Sequence, residues 1–205
     1  MKTILVVNSK GGAGKTTIAT SLAAYFAGRG EDTGLADADR QKSSLSWLKR
    51  RDGSLPAIQR LDWSKETTAP AQELDYLIVD APGGLRGERM KDLVGEADHV
   101  VVPVLPSVFD LDASLKFLTK LEELKRIRKG KACILVVANR VNRSASTLNS
   151  LEARLSEAGY PVLCRIADRI HYPREAEQGA SIFDRREASV REIRSQWTPL
   201  LQALD

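Results

Sequence analysis

The stretch that opens at position 9 reads Ser9-Lys10-Gly11-Gly12-Ala13-Gly14-Lys15-Thr16-Thr17. It directly follows the apolar run 3–7, which predicts a buried strand, and it precedes a segment with apolar residues at helical spacing, 16–29. A glycine loop between a strand and a helix is the context that a phosphate-binding loop requires. Glycines allow successive backbone N–H groups to turn towards an anion, and the helix adds its positive N-terminal end. The sequence therefore predicts that residues 10–17 bind the phosphates of a nucleotide.

The loop contains two lysines with different predicted roles. Lys15 is placed to reach the β- and γ-phosphates, and the Thr16 hydroxyl is placed to hold Mg²⁺. The usual pattern G-x-x-x-x-G-K-[ST] has glycine where this chain has Ser9, and a second lysine, Lys10, precedes the glycine pair. This is the deviant form K-G-G-x-x-K-[ST]. Because one lysine already serves the local phosphates, Lys10 predicts a charge for a phosphate elsewhere, such as one across a dimer interface. The alternative is a glycine-rich turn with two solvated lysines, which the flanking elements disfavour.

Two carboxylates follow the second predicted strand, 33–36. Asp37 and Asp39 stand two residues apart at its C-terminal end, so they point to the same side, towards the crevice where open α/β sheets bind ligands. One carboxylate fits the outer shell of a magnesium ion, and the other fits the orientation of water for attack on the γ-phosphate. A polar turn is the alternative.

Two further strands end in polar residues. The strand 76–80 ends in Asp80, which is predicted to bind Mg²⁺ through water, and a glycine turn at 81–84 follows it. The strand 133–138 is followed by Asn139 and Arg140, where an amide side chain is placed to pair with the edge of a nucleotide base.

The rest of the chain continues the alternation of strands and helices. Further strands are predicted at 58–61 (an edge strand), 99–104 and 161–165. Helices are predicted at 41–51 with Ser43 or Ser44 as cap, from Asp110 or Asp112 to about Arg128, and at 147–158. The pattern predicts a single domain, 1–205, with an α/β fold: a doubly wound, mostly parallel sheet flanked by helices.

The charge is unevenly distributed along the 205 residues, whose formal net charge is +4. Residues 1–110 hold 14 Lys and Arg against 15 Asp and Glu, whereas residues 111–205 hold 17 against 12. Four arginines of the second half are predicted to contact DNA phosphates without reading bases: Arg165, Arg169, Arg191 and Arg194. A solvated arginine-rich face is the alternative. The basic run 125–131 is open to two interpretations, nucleic-acid binding or complementation of a helix dipole.

The apolar segments predict where the protein resides. No run approaches the roughly 20 apolar residues of a membrane span, and the N-terminus begins with a strand rather than a signal peptide, so we expect a cytoplasmic protein.

Cys133 and Cys164 lack metal-ligand spacing and are expected to be reduced core residues. The apolar stripe of the last predicted helix is expected to pack on the domain rather than enter a membrane. Its residues are Val190, Ile193, Trp197, Leu200, Leu201 and Leu204.

With these segments in view, the chain resembles the ParA and MinD family of deviant Walker-A ATPases, and in particular the small ParA-type partition proteins. The matching stretches are 10–17, 37–41, 77–84, 103–107 with 110–111, and 139–140. In that family ATP binding drives a sandwich dimer in which the lysine matching Lys10 contacts the partner's nucleotide. The dimer binds DNA non-specifically, and a partner protein stimulates hydrolysis and releases it.

The resemblance implies a set of roles. Lys15 and Thr16 hold phosphate and Mg²⁺, Asp39 helps to activate water, and Asp37 and Asp80 support the metal. The cofactors implied are ATP and Mg²⁺, and Lys10, Lys15 and Asp39 are the implied catalytic residues. The implied partners are a second copy of the chain when ATP is bound, non-specific DNA, and a ParB-like or cargo-adaptor protein. We therefore expect a nucleoid-associated ATPase without a stable membrane anchor.

Three departures from the family pattern qualify this interpretation. Arg40 stands where the family often has proline, which bears on how rigidly Asp39 is held. Because the given sequence shows no helix-turn-helix region before the loop, we expect no sequence-specific operator binding, and the lack of a clear lysine-rich membrane helix in its tail disfavours the MinD branch. The alternatives are a MinD-like membrane-surface switch and an ATP-dependent biosynthetic ligase of the dethiobiotin or cobyrinic acid type, against which Lys10 argues. An iron–sulfur relative is excluded by the placement of the cysteines.

Overall fold

The computed structural model describes residues 1–142 and 145–205, and its centre is a seven-stranded sheet in which every strand pair is parallel. The strands are β1 (Lys2–Val6), β2 (Thr33–Asp37), β3 (Gln59–Asp62), β4 (Tyr76–Asp80), β5 (His99–Val104), β6 (Cys133–Val141) and β7 (Val162–Ala167). Their order across the sheet is β3-β2-β4-β1-β5-β6-β7. β1, which leads into the glycine loop, therefore lies at the centre of the sheet, and β3 is an edge strand as predicted.

Helices cover both faces of the sheet. They are α1 (Lys15–Gly28), α2 (Ser43–Arg50), α3 (Gly87–Glu96), α4 (Val108–Glu122), α5 (Lys125–Arg128), α6 (Ala145–Glu157), α7 (His171–Glu177), α8 (Ala188–Ser195) and α9 (Thr198–Leu204), with a short 3₁₀ helix at Ile182–Asp184. Side chains of β1 and of Val7, which directly follows it, alternate between two buried clusters. Ile4 and Val6 pack with α1, α2, α8 and α9, whereas Leu5 and Val7 pack with α3, α4 and α6. This alternation confirms the predicted doubly wound sheet.

The prediction of one helix from Asp110 or Asp112 to about Arg128 is wrong in its bounds. α4 starts at Val108 with Ser107 at its N-cap position, rather than at Asp110 or Asp112, and it ends at Glu122. Leu124 then takes an extended conformation and packs against the core, and α5 follows as a separate turn. The sequence contains neither glycine nor proline at this break, so the packing of Leu124 is the visible reason for it. α3 and α7 were not predicted.

The C-terminal stripe packs on the domain as predicted, because all six of its apolar residues are buried. It belongs to two helices rather than one: α9 begins at Thr198 with a proline in its first turn, and a proline cannot continue the hydrogen bonding of α8. Among the described residues, no helix is long and apolar enough to cross a bilayer.

The two cysteines differ in their burial. Cys164 is buried, as expected, and burial raises the pKa of its thiol to about 12. Cys133 is exposed, so the prediction that it is a core residue is wrong. It is the first residue of β6, at the end of the sheet, and its Sγ lies 3.0 Å from Nδ1 of His99 at the start of β5.

A buried ion pair fastens the end of α2 to the C-terminal third of the chain. The side chains of Arg51 and Asp184 are 6% and 1% exposed, and two hydrogen bonds of 2.8 and 2.9 Å join them. Arg51→Ala leaves the Asp184 carboxylate buried without its cation, so we expect a loss of about 3–5 kcal/mol in the free energy of unfolding, measured by urea denaturation. The matched control is Arg154→Ala, which breaks the exposed pair with Asp112 and is expected to cost at most about 1 kcal/mol. Equal losses in the two variants would contradict the assignment.

Candidate nucleotide-binding site

The C-terminal ends of four strands bring the predicted site residues to one edge of the sheet. The glycine loop follows β1, Asp37 and Asp39 lie at the end of β2, Asp80 ends β4, and Asn139 lies near the end of β6. This is the crevice in which open parallel sheets bind their ligands. The N-terminal ends of the strands lie together on the opposite side of the sheet from this crevice.

The glycine loop ends in a conformation that requires glycine. Gly14 has a φ of 87°, and a Cβ atom there would lie 2.1 Å from Nδ2 of Asn139. Gly12 has a φ of 79°. α1 begins directly after Gly14, and no side chain in the described part of the chain caps its N-terminus, which leaves its first-turn N–H groups to an anion.

Lys15 projects into the loop that precedes it. Its Nζ donates to the carbonyl oxygen of Lys10 at 3.1 Å, and the residue is only 8% exposed. Burial lowers the pKa of Lys15, while the carboxylates of Asp80 and Asp39 oppose that shift. The site thus holds a desolvated cation between the loop and two carboxylates, which suits the binding of a phosphate group.

Asp80 has a carboxylate oxygen that accepts no hydrogen bond from the described residues. It is 2% exposed and bonded to the Thr16 side chain, while its Oδ1 has no hydrogen-bond partner among the described residues. Desolvation raises the pKa of Asp80 to about 7, and the charge of Asp37 adds to that rise. A buried oxygen without a partner is costly unless a cation or a donor meets it. Oxygen ligands of one or two side chains, completed by water and phosphate, are what Mg²⁺ takes in phosphate sites, so Asp80 and Thr16 fit that ion.

The two carboxylates of β2 differ in how far their oxygens are already engaged. Asp37 is fully buried: its Oδ1 accepts from the N–H of Asp39, and its Oδ2 accepts from the N–H and hydroxyl of Ser44 and the N–H of Leu45. Asp37 therefore caps α2, and the prediction that Ser43 or Ser44 does so is wrong; the N-cap position is Lys42. A carboxylate fits there because the first N–H groups of a helix carry partial positive charge. Asp39 is half-buried and accepts from the N–H of Gln41 at 2.9 Å.

The turn that follows Asp80 is bonded to the glycine loop. The N–H of Gly84 donates to the carbonyl oxygen of Ser9 at 3.0 Å. A Cβ atom on Gly83 would lie 3.8 Å from the backbone of Gly11 and 3.9 Å from Nζ of Lys15. The glycine turn 81–84 thus lies against the loop that would hold the phosphate.

Asn8 is a site residue that the sequence analysis missed. It is 2% exposed, its Nδ2 donates to the carbonyl oxygen of Pro103 at 2.5 Å, and its Oδ1 accepts from the N–H of Lys10 at 3.1 Å. The side chain ties the start of the loop to the end of β5. An amide directly after an apolar strand was the only signal for it in the sequence.

Lys10 reaches across the loop to α4. Its Nζ lies 2.8 Å from Oδ1 of Asp110, with side-chain exposures of 39% and 19%. This contact lowers the pKa of Asp110. The predicted interface lysine is therefore paired within its own chain at the rim of the site.

Asn139 lies beneath the loop. It is 4% exposed, and its Nδ2 donates to the carbonyl oxygen of Ala13 at 2.8 Å. Arg140 is exposed and has a φ of 52°, at the irregularity between Ala138 and Val141 of β6. In this structure the Asn139 amide fixes the loop, and its role towards a base stays a prediction.

The four arginines predicted to bind DNA divide between two surface grooves and a loop. Arg165 lines one groove and is held by two hydrogen bonds to Glu152, whereas Arg191 and Arg194 line another. Arg194 donates to the carbonyl oxygen of Arg185 at 2.8 Å. Arg169 follows β7 in a loop and is half-buried. Their contact with DNA phosphates stays a prediction.

Comparison with known proteins gives a consistent result. Residues 4–182 match the family CbiA, the CobQ/CobB/MinD/ParA nucleotide binding domain. The chain is 32% identical over 193 residues to the maintenance of carboxysome distribution protein A of Halothiobacillus neapolitanus, covering 88% of this chain and 86% of that protein.

Solved structures with the same fold support this comparison. The structure of apo McdA from Cyanothece matches with a TM-score of 0.81 at 18% identity, covering 100% of both chains. The MinD protein of Pyrococcus horikoshii, complexed with Mg-ADP, matches with a TM-score of 0.73 at 17% identity, covering 100% of this chain and 96% of that one.

Proposed function

Because the chain belongs to the CobQ/CobB/MinD/ParA nucleotide-binding family, we propose that it is a ParA-like ATPase that positions a cargo on the nucleoid. In this proposal ATP binding drives a sandwich dimer, the dimer binds DNA non-specifically, and hydrolysis to ADP and phosphate ends the bound state. The observation that carries the proposal is the pair of lysines on one glycine loop. Lys15 is buried over the loop, whereas Lys10 stands at its rim, where a second protomer can meet it.

The proposed roles follow from the surroundings of each side chain. Lys15 and the N–H groups of the loop bind the phosphates, and Thr16 with the unpaired oxygen of Asp80 holds Mg²⁺. When bound there, the metal ion would neutralise charge that develops on the phosphate oxygens. Asp37 supports the metal site indirectly, because its oxygens are taken up by α2 and by the N–H of Asp39. The hydrogen bond from the N–H of Asp39 to the Asp37 carboxylate positions Asp39, which orients the attacking water.

The relatives indicate what kind of cargo to test. The Halothiobacillus relative is named for the maintenance of carboxysome distribution, so we propose that the cargo of this chain is a large cellular assembly such as a microcompartment. Plasmid or chromosome partition is the alternative within the same mechanism. A ParB-like or cargo-adaptor protein would stimulate hydrolysis.

Binding to random-sequence duplex DNA tests the proposal directly. It is measured by fluorescence anisotropy with ATP, with ADP and without nucleotide, at two salt concentrations. We expect tight binding only with ATP, falling steeply with salt because phosphate contacts release counterions. Absence of binding in all three states would contradict nucleoid association. Binding of ATP-loaded protein to anionic liposomes would then favour a membrane-surface switch.

Asp39→Ala is expected to separate ATP binding from hydrolysis. Loss of the residue that orients water should lower the rate of phosphate release by about 10²-fold or more, while the ATP-bound dimer persists on DNA. Phosphate release and gel filtration in ATP measure the two effects. Asp52→Ala, which removes an exposed carboxylate remote from the loop, is the control and should hydrolyse ATP normally. A normal rate in Asp39→Ala would remove Asp39 from the mechanism.

A further inference from the structure

A dense group of cations lies around α5, and the proposed site does not use it. We call it the α5 basic surface; it consists of Lys125, Arg128, Lys129 and Lys131. All four residues are exposed, and no carboxylate of residues 1–142 or 145–205 forms an ion pair with any of them. Four uncompensated positive charges within seven residues create a local positive potential.

The backbone beneath these side chains is firmly held. Between them in sequence, Arg126 bonds to the carbonyl oxygen of Ala97 and to Asp98 at 2.8 Å, and Ile127 packs against the core. Gly130, with a φ of 63°, turns the chain into β6. The cations are therefore presented from a fixed backbone, and only their side chains need to be ordered on binding.

Neither capping of the α5 carbonyl groups nor the helix dipole explains why the cations cluster here. Cations at a helix C-terminus can bond to its last carbonyl groups. Here the carbonyl oxygens of residues 124–127 already accept from the backbone N–H groups of residues 128–131. Lys125, moreover, is the first residue of α5, where a cation opposes the helix dipole.

The position of the α5 basic surface leaves it accessible. Residues 125–131 precede β6, so they lie at the edge of the parallel sheet opposite to the glycine loop. A nucleotide or a second protomer at the loop would not cover them. The surface borders a groove of about 600 Å³ between α3 and α5, whose lining includes Lys91 and one carboxylate, Glu123.

We propose that the α5 basic surface makes the main sequence-independent contacts of this chain with the phosphates of DNA. This inference rests on the proposed function, in which the chain binds DNA. Lysines on flexible stems act as point charges, which suits phosphate contacts without base recognition. Two of the predicted arginines are less available, because Arg165 is neutralised by Glu152 and Arg194 is bonded to a backbone carbonyl.

The test is a triple variant, Lys125→Gln, Lys129→Gln and Lys131→Gln, measured against random-sequence duplex DNA in the nucleotide state that binds most tightly. Each lost phosphate contact reduces the steepness of the fall of log affinity with log salt by about 0.9, so the steepness should decrease by up to about 2.7 for each protomer that contacts DNA. The affinity at 0.1 M salt should fall by about tenfold or more. Binding of a fluorescent ATP analogue should not change, since the loop lies at the other edge of the sheet.

Two further variants make the result specific. Lys49→Gln, Arg60→Gln and Lys65→Gln change the net charge equally at other exposed positions and should retain most of the slope and the affinity. Arg169→Gln with Arg191→Gln tests the arginines predicted from the sequence.

The outcomes separate the inference from the proposed function. A loss in the α5 variant that greatly exceeds those in the control and the arginine variant supports the inference. If the wild type binds DNA and the α5 variant matches the control, the inference is overturned while DNA binding stands. If the wild type binds no DNA in any nucleotide state, both are overturned.

Discussion

Lys15→Ala is expected to weaken ATP binding by at least about a hundredfold. The ammonium group is desolvated in the site and already directed into the loop, so phosphate meets a cation that needs little reorganisation. Two charge-assisted hydrogen bonds to phosphate, each worth about 1.5–3 kcal/mol, account for this magnitude. Isothermal titration with ATP and Mg²⁺ measures the loss.

Thermal denaturation without nucleotide distinguishes lost binding from lost folding. A buried ammonium group carries a desolvation cost, so its removal should leave the melting temperature of the nucleotide-free protein nearly unchanged. Added ATP should raise the melting temperature of the wild type and not that of Lys15→Ala. If the Lys15→Ala variant folds and binds ATP like the wild type, the phosphates do not bind at Lys15.

Lys10→Ala is expected to abolish the ATP-dependent dimer while each protomer still binds ATP within a fewfold of the wild type. In the single chain Lys10 is paired with Asp110 at the rim of the site, and a pair of this exposure is worth no more than about 1 kcal/mol. The lysine can therefore leave Asp110 for a phosphate across an interface at little cost. Sedimentation velocity with ATP, in an Asp39→Ala background that slows hydrolysis, measures the dimer.

Asp110→Asn separates the two roles of Lys10. It removes the ion pair and keeps the lysine, so the dimer should form at least as well as in the wild type. If Lys10→Ala and Asp110→Asn lose the dimer equally, the ion pair within the chain is what matters, and the role across the interface is wrong. If Lys10→Ala dimerises normally, the lysine has no part in the interface.

The parts of the site that could be predicted are those with a strong local signal. The glycine loop, the acidic ends of β2 and β4, and the amide near the end of β6 were all located from strands followed by particular residues, and the parallel sheet brings them to one edge. Their partners within the site could not be predicted. The bonds from Asn8 to Pro103 and from Asn139 to Ala13 join residues more than ninety positions apart, which no local pattern reports.

Asp37 illustrates the same limit within one motif. Two aspartates two residues apart looked equivalent in the sequence. The packing of α2 against β2, however, gives Asp37 three donors from α2, whereas Asp39 lies close enough to Lys15 to raise its pKa. The break between α4 and α5 is a further case, because it depends on where Leu124 packs against the core.

The sequence by itself determined the order of the strands and of most helices, the central phosphate loop and the apolar stripes that cover the sheet, because hydrophobic periodicity and glycine placement act over a few residues. Only the tertiary structure decided which charges are compensated: Arg165 has a carboxylate partner, whereas Lys125, Lys129 and Lys131 have none among the described residues. The physical reason is that an ion pair depends on distance in space, and the folded sheet sets that distance.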